Sequence, residues 1–264
     1  MKGGKSVASP GGSVARSVTV ADDDLARRAV AELVGTAFLV TAVVGSGIAA
    51  ERLSPGQVGL VLLENSVVTG AALVALILAL QPVSASFNPV VTLVERALGL
   101  IGNRPAAVLV LAQVFGGLLG VLTANLMFDL PAVTVSTQDR SAGNLWLAEV
   151  VATLGLVLVV FGVLRSGRQH QVAYAVGGYI TAAYWFTSST SFANPAVTTA
   201  RMLSDTFTGI APSSVPAFVL MQLVGGALGY ALVRLLYPSL TAAARSTDPT
   251  GRRDPSADHD RSRP

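Results

Sequence analysis

Apolar residues are grouped along this chain into six long runs that short polar breaks separate. Each run is about twenty residues long, and a helix of that length matches the ~30 Å hydrocarbon core of a bilayer. Two further apolar segments, after the second and fifth runs, are too short to cross and are typical of re-entrant helices. The pattern predicts spans at residues 29–50, 58–80, 106–128, 145–164, 172–187 and 216–236, with re-entrant segments at 86–96 and 193–203.

The two halves of the chain repeat one another. The first and fourth spans both open with Ala-Glu, at Glu32 and Glu149, and the third and sixth share a Gln-x-x-Gly-Gly-x-Leu-Gly pattern beginning at Gln113 and Gln222. Each short segment carries Asn-Pro near its start. Because three spans separate the copies, the second repeat (about 145–237) is inverted in the membrane relative to the first (about 29–128), which places a solute path at their interface.

The distribution of Lys and Arg predicts the orientation of the spans. With the N-terminus inside, only Arg52, Arg140 and Arg201 among the basic residues fall outside, so both termini are predicted to be cytoplasmic. Polar residues dominate both ends of the chain. We expect disordered tails at 1–28 and 241–264 around a channel domain at 29–240. A composition rich in Ala, Val and Arg but poor in Lys favours a bacterial plasma membrane.

Composition excludes several classes of function. Only 12% of the residues are charged and 52% are hydrophobic, whereas a soluble protein has about 25% charged residues. The net charge of +3 lies in tails and loops without interleaved aromatic residues, so nucleic acid is not an expected partner. The chain has no cysteine and two histidines, which argues against a metal site. No catalytic constellation or cofactor motif is evident, so we predict neither an enzyme nor a bound cofactor.

The Asn-Pro pairs predict how the short helices begin. Asn is a good N-cap, and Pro at the first helical position lacks an N–H that the helix could not use. Two such N-termini meeting at the bilayer centre place about half a positive charge each at one point, which repels cations. Each Asn amide can still donate to a passing oxygen. The predicted pore centre consists of Asn88, Pro89, Val90, Asn194, Pro195 and Ala196.

Six spans, two inverted Asn-Pro half-helices and a repeated Ala-Glu resemble the aquaporin, or major intrinsic protein, family over about residues 29–237. The resemblance implies an all-α membrane protein, a right-handed bundle of six transmembrane helices plus two re-entrant half-helices. It also implies a homotetramer with one pore in each subunit. In the family the two spans' acidic residues support the half-helix loops, and we prefer that role for Glu32 and Glu149 over proton carriage. The role of Glu64, near the outer end of the second span, stays open.

Three positions depart from the family pattern. Val90 replaces the usual Ala of the first motif, and Ser86 stands where a His is usual. Val197 follows the second motif, where most members have an Arg that narrows the pore. The nearest basic residue is Arg201, one turn further out. We favour an i,i+4 ion pair of Arg201 with Asp205 in the outer vestibule over a relocated filter arginine.

The remaining filter positions of the family fall, by spacing from the Asn residues, at Thr69, Ala182 and Ser191, together with Val197. All four are small or medium and uncharged, so we expect a wide filter. The segment 192–212 is similar to the S-type bacterial aquaporins encoded beside arsenic-resistance genes, which implies arsenite passage. We therefore predict a passive channel for glycerol-sized polyols, neutral metalloid hydroxides and water. The alternatives are a water-selective aquaporin and a proton-coupled transporter that uses Glu32 or Glu149.

Overall fold

The computed structural model describes residues 13–238, with side chains from residue 24 onward, and the predicted C-terminal tail at 241–264 lies outside this range. The described chain is helical and contains a short 3-10 turn, Gln169–Gln171. Its helices are α1 (Ser13–Leu53), α2 (Val58–Leu80), α3 (Pro89–Ala97), α4 (Asn103–Met127), α5 (Gly143–Arg165), α6 (Val172–Phe186), α7 (Pro195–Arg201) and α8 (Val215–Leu236).

Six of these helices correspond to the six predicted spans. Five of them are long and apolar enough to cross a bilayer by length and composition alone: α1 from Asp24, α2, α4, α5 and α8. Helix α6 has 15 residues, so it rises only about 22 Å at 1.5 Å per residue. The chain after α6 turns back toward the bundle centre at Thr187 and leads into the second half-helix, which is why this span is short.

The prediction of a disordered tail over residues 1–28 is wrong from Ser13 onward, because α1 is continuous from Ser13 to Leu53. Residues 13–34 contain neither Gly nor Pro. A helix that is already nucleated in the apolar run gains one hydrogen bond for each residue added, so it propagates through this polar segment. Residues 1–12 of the predicted tail lie outside the described chain.

Close glycine contacts pair the long helices in the same way in both halves. Helix α1 packs against α4, and α5 packs against α8. A Cβ built on Gly116 of α4 would lie 2.2 Å from the Leu33 carbonyl oxygen, and one on Gly225 of α8 would lie 2.5 Å from that of Val150. Small residues at a crossing let the two backbones approach, which is the common mode of helix packing in membranes.

The two half-helices begin where the sequence predicts. Helix α3 starts at Pro89 with Asn88 as its N-cap, and α7 starts at Pro195 with Asn194 as its N-cap. We call the side of the bundle on which α1 begins the inner side. Helix α3 runs from the centre toward the inner side and α7 toward the outer side, so their N-termini face each other between the two repeats.

Candidate functional site

A continuous cavity of about 290 Å³ runs between the two repeats. Its inner end is lined by Arg28 at the beginning of α1, Gln81 after α2, and Glu95 near the end of α3. Its outer end is lined by residues of α6, α7 and the loop that joins them. Apolar side chains of α1, α2, α5 and α6 line the cavity together with polar groups of the half-helices and the loops before them.

Asn88 and Asn194 both line this cavity, and their side chains connect the two half-helices. The Asn88 Nδ2 donates to the Ala193 carbonyl oxygen at 2.7 Å, and the Asn194 Nδ2 donates to the Phe87 carbonyl oxygen at 2.7 Å. Each side-chain amide has two N–H donors. One N–H is therefore engaged across the repeat interface, and the other is available to a solute in the cavity.

The amide oxygens of the same two residues cap the half-helices. The Asn88 Oδ1 accepts from the Val90 N–H at 2.9 Å, and the Asn194 Oδ1 accepts from the Ala196 and Val197 N–H groups at 3.0 and 3.3 Å. This geometry fixes both amides with their N–H groups away from the helix. Two opposed helix N-termini at one point give a local positive potential, which disfavours cations there.

Glu32 and Glu149 hold the loops that precede the half-helices. Both carboxylates are fully buried. The Glu32 carboxylate accepts from the Ser86 and Phe87 N–H groups at 2.8 and 2.7 Å. The Glu149 carboxylate accepts from the N–H groups of the repeat-related loop residues, Phe192 and Ala193, at 2.9 Å each.

These loops need such support because their backbone is strained. Phe87 and Ala193 have φ angles of 46° and 47°, a left-handed conformation that costs a non-glycine residue free energy. Hydrogen bonds to a charged acceptor are stronger than bonds between neutral groups, so a buried carboxylate can stabilise this conformation. Neither Glu32 nor Glu149 is among the residues that line the cavity.

A glutamine completes each support. The Gln113 Nε2 donates to Glu32 and to the Thr92 hydroxyl of α3, at 2.8 and 2.9 Å. The Gln222 Nε2 donates to Glu149 and to the Thr198 hydroxyl of α7, at 2.6 and 2.8 Å. Each half-helix is thereby attached through its threonine to the last long helix of its own repeat.

Three of the predicted filter residues line the cavity: Thr69, Ser191 and Val197. The Thr69 hydroxyl lies 3.2 Å from the Tyr184 hydroxyl. The Ser191 hydroxyl is buried and has no hydrogen-bond partner among the described residues. An unpartnered buried hydroxyl that lines a cavity is available to a polar solute, because leaving it unpaired is costly.

The structure corrects the fourth filter residue. Ala182 is exposed on the surface of α6 and does not line the cavity. Tyr184 and Ile180 of the same helix line it instead. Residues two apart on a helix point about 200° away from each other, so an error of two residues in counting moves a side chain from the pore to the opposite face.

The predicted ion pair between Arg201 and Asp205 is also wrong. The Asp205 carboxylate accepts from the Thr137 N–H at 2.9 Å, in the loop that follows α4. Arg201 is only 2% exposed, lines the outer end of the cavity, and donates from Nε to the Thr208 carbonyl oxygen. Its guanidinium carbon lies 3.4 Å from the ring centroid of Phe192, a cation–π contact.

The outer end of the cavity consequently carries larger side chains than the sequence predicts. Tyr184, Phe192 and Arg201 join the small residues there, so the expectation of an entirely small and uncharged filter does not hold. Phe192 lies two residues before Asn194 of the second Asn-Pro-Ala, and Tyr184 belongs to an aromatic cluster at the end of α6. Their positions near the motif in the sequence are the signal from which these two lining residues could have been predicted.

The sequence profile of the major intrinsic protein family matches residues 19–173 and 165–254. The chain belongs to the major intrinsic protein family. It is 47% identical over 227 residues to Aquaglyceroporin AqpS of Rhizobium meliloti (strain 1021), covering 86% of this chain and 97% of that protein. The fold is similar to the X-ray structure of the aquaglyceroporin from Plasmodium falciparum, with a TM-score of 0.62 and 19% identity, covering 83% of this chain and 99% of that chain.

Two further acidic residues of this major intrinsic protein family member accept hydrogen bonds from serine hydroxyls rather than from the loop backbone. The Glu64 carboxylate accepts from the Ser54 hydroxyl at 3.0 Å, between α1 and α2, and Glu64 does not line the cavity. Glu95 lines the inner end of the cavity and accepts from the Ser86 hydroxyl at 3.1 Å. Sequence reasoning did not single out Glu95, although its spacing from Asn88 places it on the half-helix.

Proposed function

We propose that this protein is a passive channel for glycerol-sized polyols, neutral metalloid hydroxides such as arsenous acid, and water. One observation carries the proposal: a continuous cavity is lined by both Asn88 and Asn194, each with a free amide N–H. Apolar side chains line the same cavity. A solute that carries hydroxyls on a small carbon or metalloid core can contact both kinds of group.

The size of the cavity supports small solutes. Pockets for drug-sized ligands have volumes of roughly 300–1,000 Å³, and this cavity of about 290 Å³ lies at the lower limit. A space of this volume accommodates a solute of the size of glycerol. The similarity to a relative named an aquaglyceroporin supports glycerol as one such solute.

The charge pattern favours neutral solutes over a proton-coupled transport cycle. Glu32 and Glu149 are each held by two backbone N–H groups and a glutamine, and neither lines the cavity. A proton carrier must exchange protons with the solute path, whereas a carboxylate that supports a loop needs no contact with that path. The positive helix N-termini at the centre also oppose cation passage.

A water-selective channel is the second candidate, and the outer end of the cavity favours it. Tyr184, Phe192 and Arg201 line this end together, and bulky side chains there reduce the space available to polyols. Against this, Val197 and Ser191, which line the same cavity, are small or medium side chains. Permeability to glycerol relative to water discriminates between the two candidates.

The finer assignments rest on the sequence. We propose that the protein lies in a bacterial plasma membrane with both termini in the cytoplasm, because basic residues are concentrated on the inner side. We also propose a homotetramer, on the family resemblance. Native mass spectrometry in detergent would test the tetramer, and protease accessibility of each terminus in oriented vesicles would test the orientation.

Flux through reconstituted liposomes tests the channel proposal. Stopped-flow light scattering should show faster swelling than protein-free liposomes in gradients of glycerol and of arsenous acid. The swelling rate should be the same with and without a pH gradient, because flux through a passive channel is not driven by protons. A glycerol flux that stops when the pH gradient collapses would indicate coupled transport instead.

A further inference from the structure

The charged residues that line the cavity are distributed unevenly along it. Among the described lining residues, the charged side chains are those of Arg28, Glu95 and Arg201. Arg201 lies at the outer end, and Arg28 and Glu95 lie at the inner end. Glu95 is therefore the one carboxylate on the described part of the path.

The rest of the path is electrically positive. The N-termini of α3 and α7 face the centre, and each contributes about half a positive charge. The Arg201 guanidinium lines the outer end, and Arg140 lies near it, with its guanidinium carbon 4.9 Å from the Phe192 ring that Arg201 also contacts. This potential repels cations but attracts small anions. The features that exclude cations from the pore therefore do not exclude anions.

The position of Glu95 is well defined. Its Oε1 accepts a hydrogen bond from the Ser86 hydroxyl at 3.1 Å, and the Ser86 N–H is bound at 2.8 Å by the buried Glu32 carboxylate. The side chain lies on α3, which the Gln113–Thr92 bond attaches to α4. A carboxylate held in this way presents its charge to the path at a fixed point.

We propose that Glu95 is a specificity-determining residue that excludes small anions from the inner end of the cavity. Its negative charge opposes the attraction that the helix N-termini, Arg201 and Arg28, which lines the same inner end, exert on an anion. A neutral polyol has no net charge and crosses the same point with little effect. The inference rests on the proposed function, because it concerns selection among solutes in the same pore.

The expected effect is moderate in size. In water-like surroundings, a unit charge about 4 Å from an ion changes the population of that ion by about fivefold. Removing the Glu95 charge should thus raise anion influx by roughly that factor. The effect should shrink as ionic strength rises, because salt screens the carboxylate.

Nitrate influx at pH 8 tests the proposal, with nitrate as the probe. Liposomes containing the full chain are placed in potassium nitrate with valinomycin, so that swelling reports nitrate permeability alone. We expect Glu95→Gln to raise nitrate influx about fivefold and Glu95→Asp to keep it near the wild-type rate. Asp24→Asn is the matched control, because it removes an exposed carboxylate on the inner side that does not line the cavity.

Two further measurements separate the possible outcomes. Glycerol influx should stay within about twofold of wild type in Glu95→Gln, and potassium leak without valinomycin should stay at background, since the central N-termini are intact. Nitrate influx unchanged in a variant that conducts glycerol overturns the proposal, and so does a parallel rise in potassium leak. If Glu95→Gln does not fold, Glu95→Ala gives the same comparison. Failure of the wild type to pass glycerol would count against the proposed function instead.

Discussion

At the scale of single residues, Arg201 decides how the outer end of the pore differs from the family pattern. Val197 and Arg201 both line the cavity and lie four residues apart on one half-helix, so their Cα atoms are about 6 Å apart along the helix axis. Phe192 and the Thr208 carbonyl hold the Arg201 guanidinium in place. The outer end of the cavity therefore carries a fixed cationic donor although Val197 follows the second motif.

Replacing Arg201 tests this position of the charge. We expect Arg201→Leu to widen the outer end and to raise the permeability for a five-carbon polyol relative to water by roughly tenfold, the factor that one or two lost contacts contribute to discrimination. Arg201→Lys keeps the charge but not the planar stacking on Phe192, and should give a smaller change. Swelling rates in a polyol series measure both. An unchanged ratio in Arg201→Leu would show that Arg201 does not limit the pore.

The predicted filter positions also show where counting residues from the motif no longer predicts which side chains line the cavity. The loop before the second motif contains Thr190, Ser191 and Ala193 with φ angles of 61°, 50° and 47°. Left-handed residues in succession reverse the chain direction, and nothing in their sequence predicts them, because none is glycine. Positions inside α7 could be predicted from the motif, but the face of α6 across this loop could not. That is why Ala182 was predicted to line the pore and Tyr184 does.

At the scale of elements, the valine in the first motif is matched by a glycine on another helix. A Cβ built on Gly226 of α8 would lie 2.3 Å from Val90 Cγ1. At the related contact, a Cβ on Gly117 of α4 would lie 3.1 Å from the Ala196 carbonyl oxygen. Gly226 therefore accommodates the larger side chain, and α3 keeps its cap and its direction.

A substitution at Gly226 should be destabilising for this reason. We expect Gly226→Ala to cost about 1–3 kcal/mol by overpacking and to lower the melting temperature in detergent. Adding Val90→Ala should restore most of the loss, because the clashing methyl groups are removed. Gly178→Ala on α6 is the control: nothing lies within 4 Å of its built Cβ, so it should be neutral or slightly stabilising. Equal losses for Gly226→Ala and Gly178→Ala would contradict this account of the packing.

The elements themselves could largely be predicted from the sequence. Asn-Pro specifies both an N-cap and a first helical residue, so two residues at each site are enough to predict where α3 and α7 begin. The beginning of α1 could not be predicted from hydropathy. The helix continues beyond the apolar run as far as Ser13, and helix propagation in polar sequence leaves no hydropathy signal.

At the scale of the whole molecule, two inverted repeats supply matched halves of one path. The amides of Asn88 and Asn194, the loop supports Glu32 and Glu149, and their glutamines recur in pairs with bond lengths that agree within a few tenths of an ångström. The two mouths differ, with Glu95 at the inner end and Arg201 at the outer end. The repeat-related residue pairs could be predicted from the sequence. The residues that line the two ends of the cavity could not, because they depend on side-chain placement in three dimensions.

The measurement that tests the central claim most directly is stopped-flow swelling of liposomes in water and in glycerol, for the wild type beside Val197→Arg. The wild type should pass both. In Val197→Arg a second guanidinium enters the cavity one turn from the first, and glycerol permeability should fall by about tenfold or more while water is largely spared. A wild type that passes water alone, or a variant that conducts glycerol at the wild-type rate, would contradict the account of a polyol path past Val197.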